Sequence, residues 1–240
     1  MSLPRFEELA WRETPMGEIS LRRRRDPQLD VDVYEVKLGD EFLMSSLFTV
    51  AEVELSRLGL AAVPDRPVDV VVGGLGLGYT ARTALEDPRV RSLTVVEALG
   101  EVVDWHRRDL LPDTVGLAAD ARVRLLEGDF FVLAGAGGFD PELPARRFDA
   151  VLLDVDHSPR HVLHPSHAPF YTVDGLRALR RLVVDDGVFA LWSDDPPDEE
   201  FLPVLREVFA DAQAHVVEFA NPLTRGTSAN TVYVARRSVD

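Results

Sequence analysis

A run of valines that ends in closely spaced glycines constrains this 240-residue chain more than any other segment. Residues 68–72 are apolar except for Asp69, as in a buried strand, and glycines follow at positions 73, 74, 76 and 78 before a helical pattern begins. Such glycines let the backbone turn sharply, so that a ligand can lie against bare N–H groups at the positive end of a helix. The segment therefore predicts a nucleotide-binding unit made of a strand, a glycine turn and a helix.

An acidic residue at the end of the next apolar strand makes this prediction more specific. Glu97 comes nineteen residues after Gly78 and closes a strand predicted over residues 92–97. A carboxylate at that place can accept hydrogen bonds from both hydroxyls of a ribose. Asp129 and Asp154 also follow predicted strands, and ligands of open α/β sheets lie outside the carboxyl ends of the strands.

Strands and helices alternate from residue 68 onward, which predicts a mostly parallel sheet with helices on both faces. Strands are predicted at 68–72, 92–97, 122–126, 148–154, 188–193, 214–219 and 230–235, and helices at 80–85, 100–111, 173–184 and 199–209. The last two strands are joined by a short loop, so we expect an antiparallel hairpin at the sheet edge. The fold class is therefore α/β, a Rossmann-like doubly wound sheet of seven strands.

A small unit precedes this sheet. Strands are predicted at 17–24, 31–38 and 41–44, and a helix at 48–58 with Ser45 or Ser46 as its N-cap. Pro64 and Pro67 mark the boundary, which divides the chain into domains 1–62 and 63–240. The first unit is short for an independent domain, so we expect it to pack on the main sheet as a lid or a dimerisation element.

Composition excludes several classes of function. The formal net charge of −15 argues against a nucleic-acid partner, because such a protein neutralises phosphates with clustered Lys and Arg. The absence of cysteine excludes disulfides, zinc-thiolate sites and thiol catalysis. No run of eighteen apolar residues and no secretory signal is present, so we expect no membrane contact and a cytoplasmic location.

These motifs, in this order, resemble the spermidine synthase family, the polyamine synthase branch of the class I S-adenosylmethionine-dependent transferases. The family's GGGDGGT turn corresponds to residues 74–80, and its ribose-binding acid corresponds to Glu97. Gly128-Asp129 matches the family's GD, whose acid contacts the adenine. The strand that ends in the family's catalytic aspartate corresponds to residues 148–154, and the family's FY pair corresponds to Phe170-Tyr171. The resemblance implies a fold of the class I methyltransferase type and a homodimer. It also implies that Asp154 is catalytic and that the adenosyl-sulfonium donor is held by Gly74, Gly76, Leu77, Gly78, Glu97 and Asp129.

The chain departs from that family at three places. Leu77 stands where the family's turn has the aspartate that, by resemblance, holds the amino end of a decarboxylated donor. His157 replaces the second aspartate of the family's DSSDP stretch, and the Tyr-His-Glu set before the turn is not recognisable, since Phe48, Thr49 and Glu52 occupy that region. Plant putrescine N-methyltransferases, which use intact S-adenosylmethionine, resemble this chain at the turn.

On that comparison we expect a transferase that moves a methyl group from S-adenosylmethionine to a small, cationic amine acceptor. One alternative is an aminopropyltransferase, a spermidine synthase that uses decarboxylated S-adenosylmethionine. Another is a non-catalytic nucleoside-binding or assembly protein of the same fold. Both transfers displace a sulfonium from carbon, so the protein must position the reactants, keep the nucleophile unprotonated and exclude water.

Asp154 is the predicted general base or amine-orienting group, and the competing interpretation is a cap on the loop that follows. Acceptor contacts are predicted for Asp156, His157, Tyr171 and Asp194. A solvated loop position for His157 and an N-cap role for Asp194 remain alternatives. Prolines interrupt the histidines at 157, 161, 164 and 167, so no helical face presents them together and no metal is expected.

Overall fold

The computed structural model describes residues 5–140, 142–155 and 157–238, which form a small antiparallel sheet and a larger mixed sheet. The small sheet is a meander of β1 (Phe6–Thr14), β2 (Gly17–Asp26), β3 (Val31–Leu38) and β4 (Glu41–Ser45). The sequence did not predict β1. A register shift between Glu8 and Ala10 breaks its alternation, and most of its side chains are exposed or half-buried, so no period of two is visible there.

Helix α1 (Val50–Ala61) connects the small sheet to the large one. It begins later than predicted, after Thr49, and neither predicted serine caps it, since Ser45 ends β4 and the Ser46 hydroxyl accepts the Tyr34 N–H. A Cβ added at Gly59 would lie 2.6 Å from Leu152 Cδ2 in the large sheet. Helix α1 therefore packs closely against that sheet. The domain boundary at 62 and 63 stays a prediction.

The large sheet has seven strands. They are β5 (Val68–Gly73), β6 (Val90–Glu97), β7 (Val123–Glu127), β8 (Phe148–Leu153), β9 (Val183–Ser193), β10 (Asp211–Asn221) and β11 (Gly226–Arg236). Their spatial order is β10-β11-β9-β8-β5-β6-β7, with β5 to β9 parallel and β11 antiparallel to both neighbours. The predicted α/β class, with a final antiparallel pair at the edge, is confirmed.

In the part of the chain that the structure describes, five further α-helices cover the two faces of this sheet. They are α2 (Tyr79–Glu86), α3 (Gly100–Arg107), α4 (Phe130–Ala136), α5 (Val173–Arg180) and α6 (Phe201–Val208), with 3₁₀ turns at Pro112–Thr114, Leu117–Ala119 and Pro165–Tyr171. Each face of the sheet packs in its own hydrophobic core, and alternate residues of β5 belong to one core or the other. Val70 and Val72 pack with α1, α2 and α3, whereas Val71 packs with α4, α5 and α6.

Three helix predictions need correction. Helix α4 was missed because its glycine-rich end resembles a loop, yet the Asp129 carboxylate caps its first turn and Gly137 ends it with φ +87°. Helix α3 ends at Arg107 rather than 111, since Asp109 takes a left-handed φ of +51°. Helix α5 ends at Arg180, and the residues predicted as its last turn begin β9. No helix in the described parts of the chain combines the length and apolar character needed to cross a membrane.

Candidate active site

The carboxyl ends of β8, β5, β6 and β7 lie side by side, and main-chain hydrogen bonds continue beyond the strands. Asp154 N donates to Gly73 O (2.8 Å), Gly74 N to Val96 O (2.9 Å) and Gly128 N to Glu97 O (2.8 Å). With strands about 4.8 Å apart, the row of four is about 14 Å long. This edge therefore brings the predicted glycines and acids into one line that is long enough for a nucleoside.

The glycine turn is confined from two sides. Gly74, Gly76 and Gly78 all have positive φ, which only glycine adopts without strain. A Cβ at Gly74 would lie 2.1 Å from the Asp154 carbonyl oxygen, and a Cβ at Gly76 would lie 2.6 Å from Met44 Sδ of β4. The turn thus requires glycine for both its backbone angles and its close neighbours.

The acids on the β6 and β7 side are held by main-chain donors. Glu97 is buried and accepts hydrogen bonds from the N–H groups of Leu75 and Leu99, each at 2.9 Å. Burial raises the pKa of Glu97, and these bonds act in the opposite direction by favouring its ionised form. Asp129 caps α4 by accepting the N–H groups of Phe131 and Val132. Each carboxylate therefore has a fixed orientation at the end of its strand.

A cavity of about 530 Å³ opens on the glycine turn, toward the β8 and β9 side of the sheet. Its walls come from β4, α1, the glycine turn, the ends of β8 and β9, and the β10–β11 hairpin. Apolar and aromatic side chains make up much of the wall, and Phe48 and Phe219 lie with ring centroids 5.9 Å apart. The cavity therefore combines an apolar body with a few polar groups, as small-molecule sites do.

Three of the described residues that line this cavity carry carboxylates: Glu52 of α1, Asp154 after β8 and Asp194 after β9. Asp154 Oδ2 accepts the Thr80 hydroxyl at 2.6 Å, and Asp194 Oδ1 accepts the Asn230 amide at 2.7 Å. No lysine or arginine is among the lining residues that the structure describes. The cavity is therefore a negatively charged environment suited to a cation.

Two of these carboxylates influence each other's ionisation. Burial, with a further contribution from the charge of Asp154, raises the pKa of Glu52 to about 8. Burial also raises the pKa of Asp154, to about 6, although the Thr80 hydroxyl favours its ionised form. The two groups titrate as a pair, which holds one proton near neutral pH and so carries a single negative charge.

The structure brings together most of the residues that were predicted to bind the donor, contact the acceptor or act in catalysis. Gly76, Leu77, Gly78, Asp154, His157 and Asp194 line the cavity. Gly74, Glu97 and Asp129 lie on the same sheet edge but outside the cavity wall. Asp156 lies outside the described residues.

Tyr171 was predicted to contact the acceptor, but it does not line the cavity. It ends the 3₁₀ turn at Pro165–Tyr171, is 7% exposed, and packs against Phe201 and Phe170 in the core beneath α4 to α6 rather than lining the cavity. The aromatic character that resembles the family's FY pair is used here for packing.

The loop histidines point to different partners. His157 borders the cavity, His161 pairs with Asp195 at 2.7 Å, His164 accepts from Ser166, and His167 stacks on Phe131. Among residues 5–140, 142–155 and 157–238, no group of three or more His, Asp or Glu side chains is arranged to hold a metal ion. Within those ranges the four histidines do not form a metal-binding group, although the rings of His164 and His167 lie with centroids 6.0 Å apart.

Sequence reasoning did not select Glu52, Trp192 or Asn230 as site residues, although all three line the cavity. One signal for Glu52 was available. It precedes Leu55, Ser56 and Gly59 at helical spacing, so it shares the face of α1 that is buried against the large sheet. A carboxylate on a face that must be buried indicates a functional role.

Solved structures with the same fold are known. The crystal structure of spermidine synthase from Thermotoga maritima matches 97% of this chain and 74% of that chain with a TM-score of 0.73 and 17% sequence identity. A spermidine synthase in complex with the transition state analogue AdoDATO matches 97% of this chain and 73% of that chain, with a TM-score of 0.72 and 16% identity. The chain therefore has the fold of these spermidine synthases. The family resemblance inferred from the motifs is thereby confirmed.

Curated sequences give a similar picture. The polyamine aminopropyltransferase of Bacillus mycoides is 27% identical over 165 residues, which are 68% of this chain and 52% of that protein. The ribosomal RNA large subunit methyltransferase H of Cupriavidus pinatubonensis is 28% identical over 137 residues, which are 57% of this chain and 66% of that protein. The chain spans about half the length of the curated aminopropyltransferases it matches. No family model matches the chain.

Replacing Glu52 by glutamine should change the pH dependence of stability. The pKa of Glu52 is raised above its ordinary value, so the folded protein binds more protons than the unfolded chain between about pH 4.5 and pH 8, and stability falls as pH rises through that window. Without this carboxylate, the stability of Glu52→Gln relative to the wild type should rise between pH 4.5 and pH 9, by at most about 5 kcal/mol for a shift of this size. Urea denaturation at several pH values measures the difference.

The matched control is Glu54→Gln on the same helix, because Glu54 pairs with Arg57 at the surface. This variant should follow the wild-type pH dependence. If Glu52→Gln followed it too, the raised pKa of Glu52 would be contradicted.

Proposed function

We propose that the protein transfers an aminopropyl group from decarboxylated S-adenosylmethionine to an amine acceptor. The observation that supports this most is the set of three cavity carboxylates, Glu52, Asp154 and Asp194, with no lysine or arginine among the described lining residues. Similarity to proteins named polyamine aminopropyltransferase and spermidine synthase supports the same assignment.

Charge distinguishes the two candidate donors. The amino-acid end of intact S-adenosylmethionine carries a carboxylate and an ammonium, whereas the decarboxylated form carries the ammonium alone. Two like charges 4 Å apart repel by about 4 kcal/mol at the effective dielectric constant near a protein surface. The carboxylate of the intact donor therefore costs free energy beside Asp154, and the purely cationic tail of the decarboxylated donor is attracted there.

This proposal replaces the methyl-transfer preference that Leu77 suggested. Leu77 removes a carboxylate from the glycine turn, but Glu52 places a carboxyl group in the same cavity from α1, and a bound cation favours its ionised form. Methyl transfer remains the second candidate, because Leu77 is an apolar residue only 5% exposed within the turn and because a methyltransferase is among the similar sequences.

We assign the nucleoside end of the donor to the β6 and β7 side of the edge. The Glu97 carboxylate would accept ribose hydroxyls, and the Asp129 carboxylate would accept the adenine amino group. Each already accepts two main-chain N–H bonds, yet a carboxylate has about four acceptor positions in all. The bare glycine backbone between these acids and the cavity fits a ligand that passes close to the turn.

In the proposed reaction the acceptor nitrogen attacks the propyl carbon bonded to the sulfonium. The new C–N bond forms as the C–S bond breaks, and the sulfur leaves as a neutral thioether. The attacking amine must lose a proton, and Asp154 is the group we assign to receive it. The Thr80 hydroxyl fixes the orientation of the Asp154 carboxylate, and burial raises the pKa of Asp154, which makes it a stronger base toward the amine proton.

Ligand-dependent thermal stability tests this proposal. Decarboxylated S-adenosylmethionine should raise the Tm more than S-adenosylmethionine at equal concentration, with methylthioadenosine as a reference for the nucleoside part alone. In the double variant Glu52→Gln with Asp194→Asn, the difference between the two donors should shrink. Larger stabilisation by intact S-adenosylmethionine would support methyl transfer instead, and no stabilisation by any of the three would overturn both enzyme assignments.

Asp154→Asn should separate binding from chemistry. The amide keeps the size of the side chain but cannot take up a proton, so turnover should fall at least about a hundredfold while the donor Kd changes within a few fold. Steady-state kinetics and calorimetry give the two values. Asp104→Asn, at a surface ion pair with Arg108, serves as the control that keeps full activity. Loss of donor binding in parallel with turnover would make Asp154 a donor-holding residue instead.

A further inference from the structure

A buried histidine contacts the glycine turn without lining the cavity. His106 of α3 is 1% exposed, and its Nε2 lies 2.9 Å from the carbonyl oxygen of Gly76. A carbonyl oxygen only accepts hydrogen bonds, so Nε2 carries the hydrogen. Burial lowers the pKa of His106, which keeps the ring neutral near pH 7 and leaves Nδ1 as an acceptor.

The 3₁₀ turn at Pro112–Thr114 adds further contacts to the same glycine turn. Thr114 Oγ1 lies 3.3 Å from the Leu77 carbonyl oxygen and 3.4 Å from His106 Nδ1. The Tyr79 hydroxyl donates to the carboxylate of Asp113. The turn is therefore tied at three of its residues to the segment 106–114, which does not line the cavity.

These bonds orient the peptide groups of the turn. In a trans peptide the C=O of one residue and the N–H of the next point in opposite directions. Holding the Gly76 carbonyl toward His106 therefore directs the Leu77 N–H away from His106, and Leu77 borders the cavity. Glycine at 76 and 78 has access to many backbone conformations, so contacts from outside the turn are needed to select one.

We propose that His106 is a positioning residue for donor binding, which holds the glycine turn in its ligand-binding shape without touching the ligand. Thr114 supports His106 in this role from the neighbouring 3₁₀ turn. The inference rests on the proposed function only in placing a nucleoside donor at the glycine turn, and it does not depend on which group is transferred.

Kinetics of paired variants test the proposal in the full-length chain. His106→Leu removes the hydrogen bond to Gly76 and should raise the donor Kd and donor KM about tenfold, which is the effect expected for one hydrogen bond. The kcat at saturating donor and the acceptor KM should stay within about twofold. His106→Gln places an amide N–H at about the reach of Nε2 and should restore most of the donor affinity.

The Thr114→Val and Thr114→Ser pair gives a second, milder test, which remains informative if His106→Leu folds poorly. The valine variant should weaken donor binding and the serine variant should not. His215→Leu on the edge strand β10 is the matched histidine control and should leave all constants unchanged.

The outcomes separate this inference from the proposed function. If His106→Leu lowered the Tm but left donor Kd and donor KM unchanged, the residue would be structural only and the inference overturned. An increase confined to the acceptor KM would overturn it as well. If the wild type bound neither S-adenosylmethionine, nor its decarboxylated form, nor methylthioadenosine, the proposed function would fail first, and the inference with it.

Discussion

The removal of Glu52 and Asp154 from water at one cavity is the constraint on which the chemistry of the site depends. Burial is the larger cause of the raised pKa of Glu52, and the charge of Asp154 adds to the cost of its ionisation, so the folded chain holds a proton that an exposed pair would release. A bound cation relieves this cost, which means that the unliganded fold carries a free-energy penalty that binding recovers. A change that removes this penalty would stabilise the unliganded protein and weaken its affinity for a cationic ligand.

This pairing is possible because of how closely the elements approach each other. Gly59 lets α1 lie directly on the large sheet, which brings Glu52 to the end of β8. Gly74 lets the turn pass against the Asp154 backbone, where a larger residue would not fit. Met44 extends from the small sheet onto Gly76. The small sheet thus contributes directly to the wall of the site, beyond its own packing.

Local patterns predicted those parts of the molecule that depend on neighbouring residues in the sequence. The strand before the turn, the turn itself and the acids that follow strands could be inferred, because a parallel sheet gathers strand ends at one edge. Glu52 could not be assigned in the same way, since its contact with the site depends on the packing of α1. Tyr171 shows the converse, because a matching motif gave its residue type but not the direction of its side chain. Strand β1 and helix α4 were missed where a bulge and a glycine-rich end obscured the period.

The most direct test of the account is the identity of the group transferred. The protein is incubated with equal amounts of S-adenosylmethionine and its decarboxylated form together with putrescine, and the products are identified by mass spectrometry. The account predicts an acceptor that has gained an aminopropyl group, with methylthioadenosine as the second product. An acceptor that has gained a methyl group, with S-adenosylhomocysteine formed instead, would contradict it.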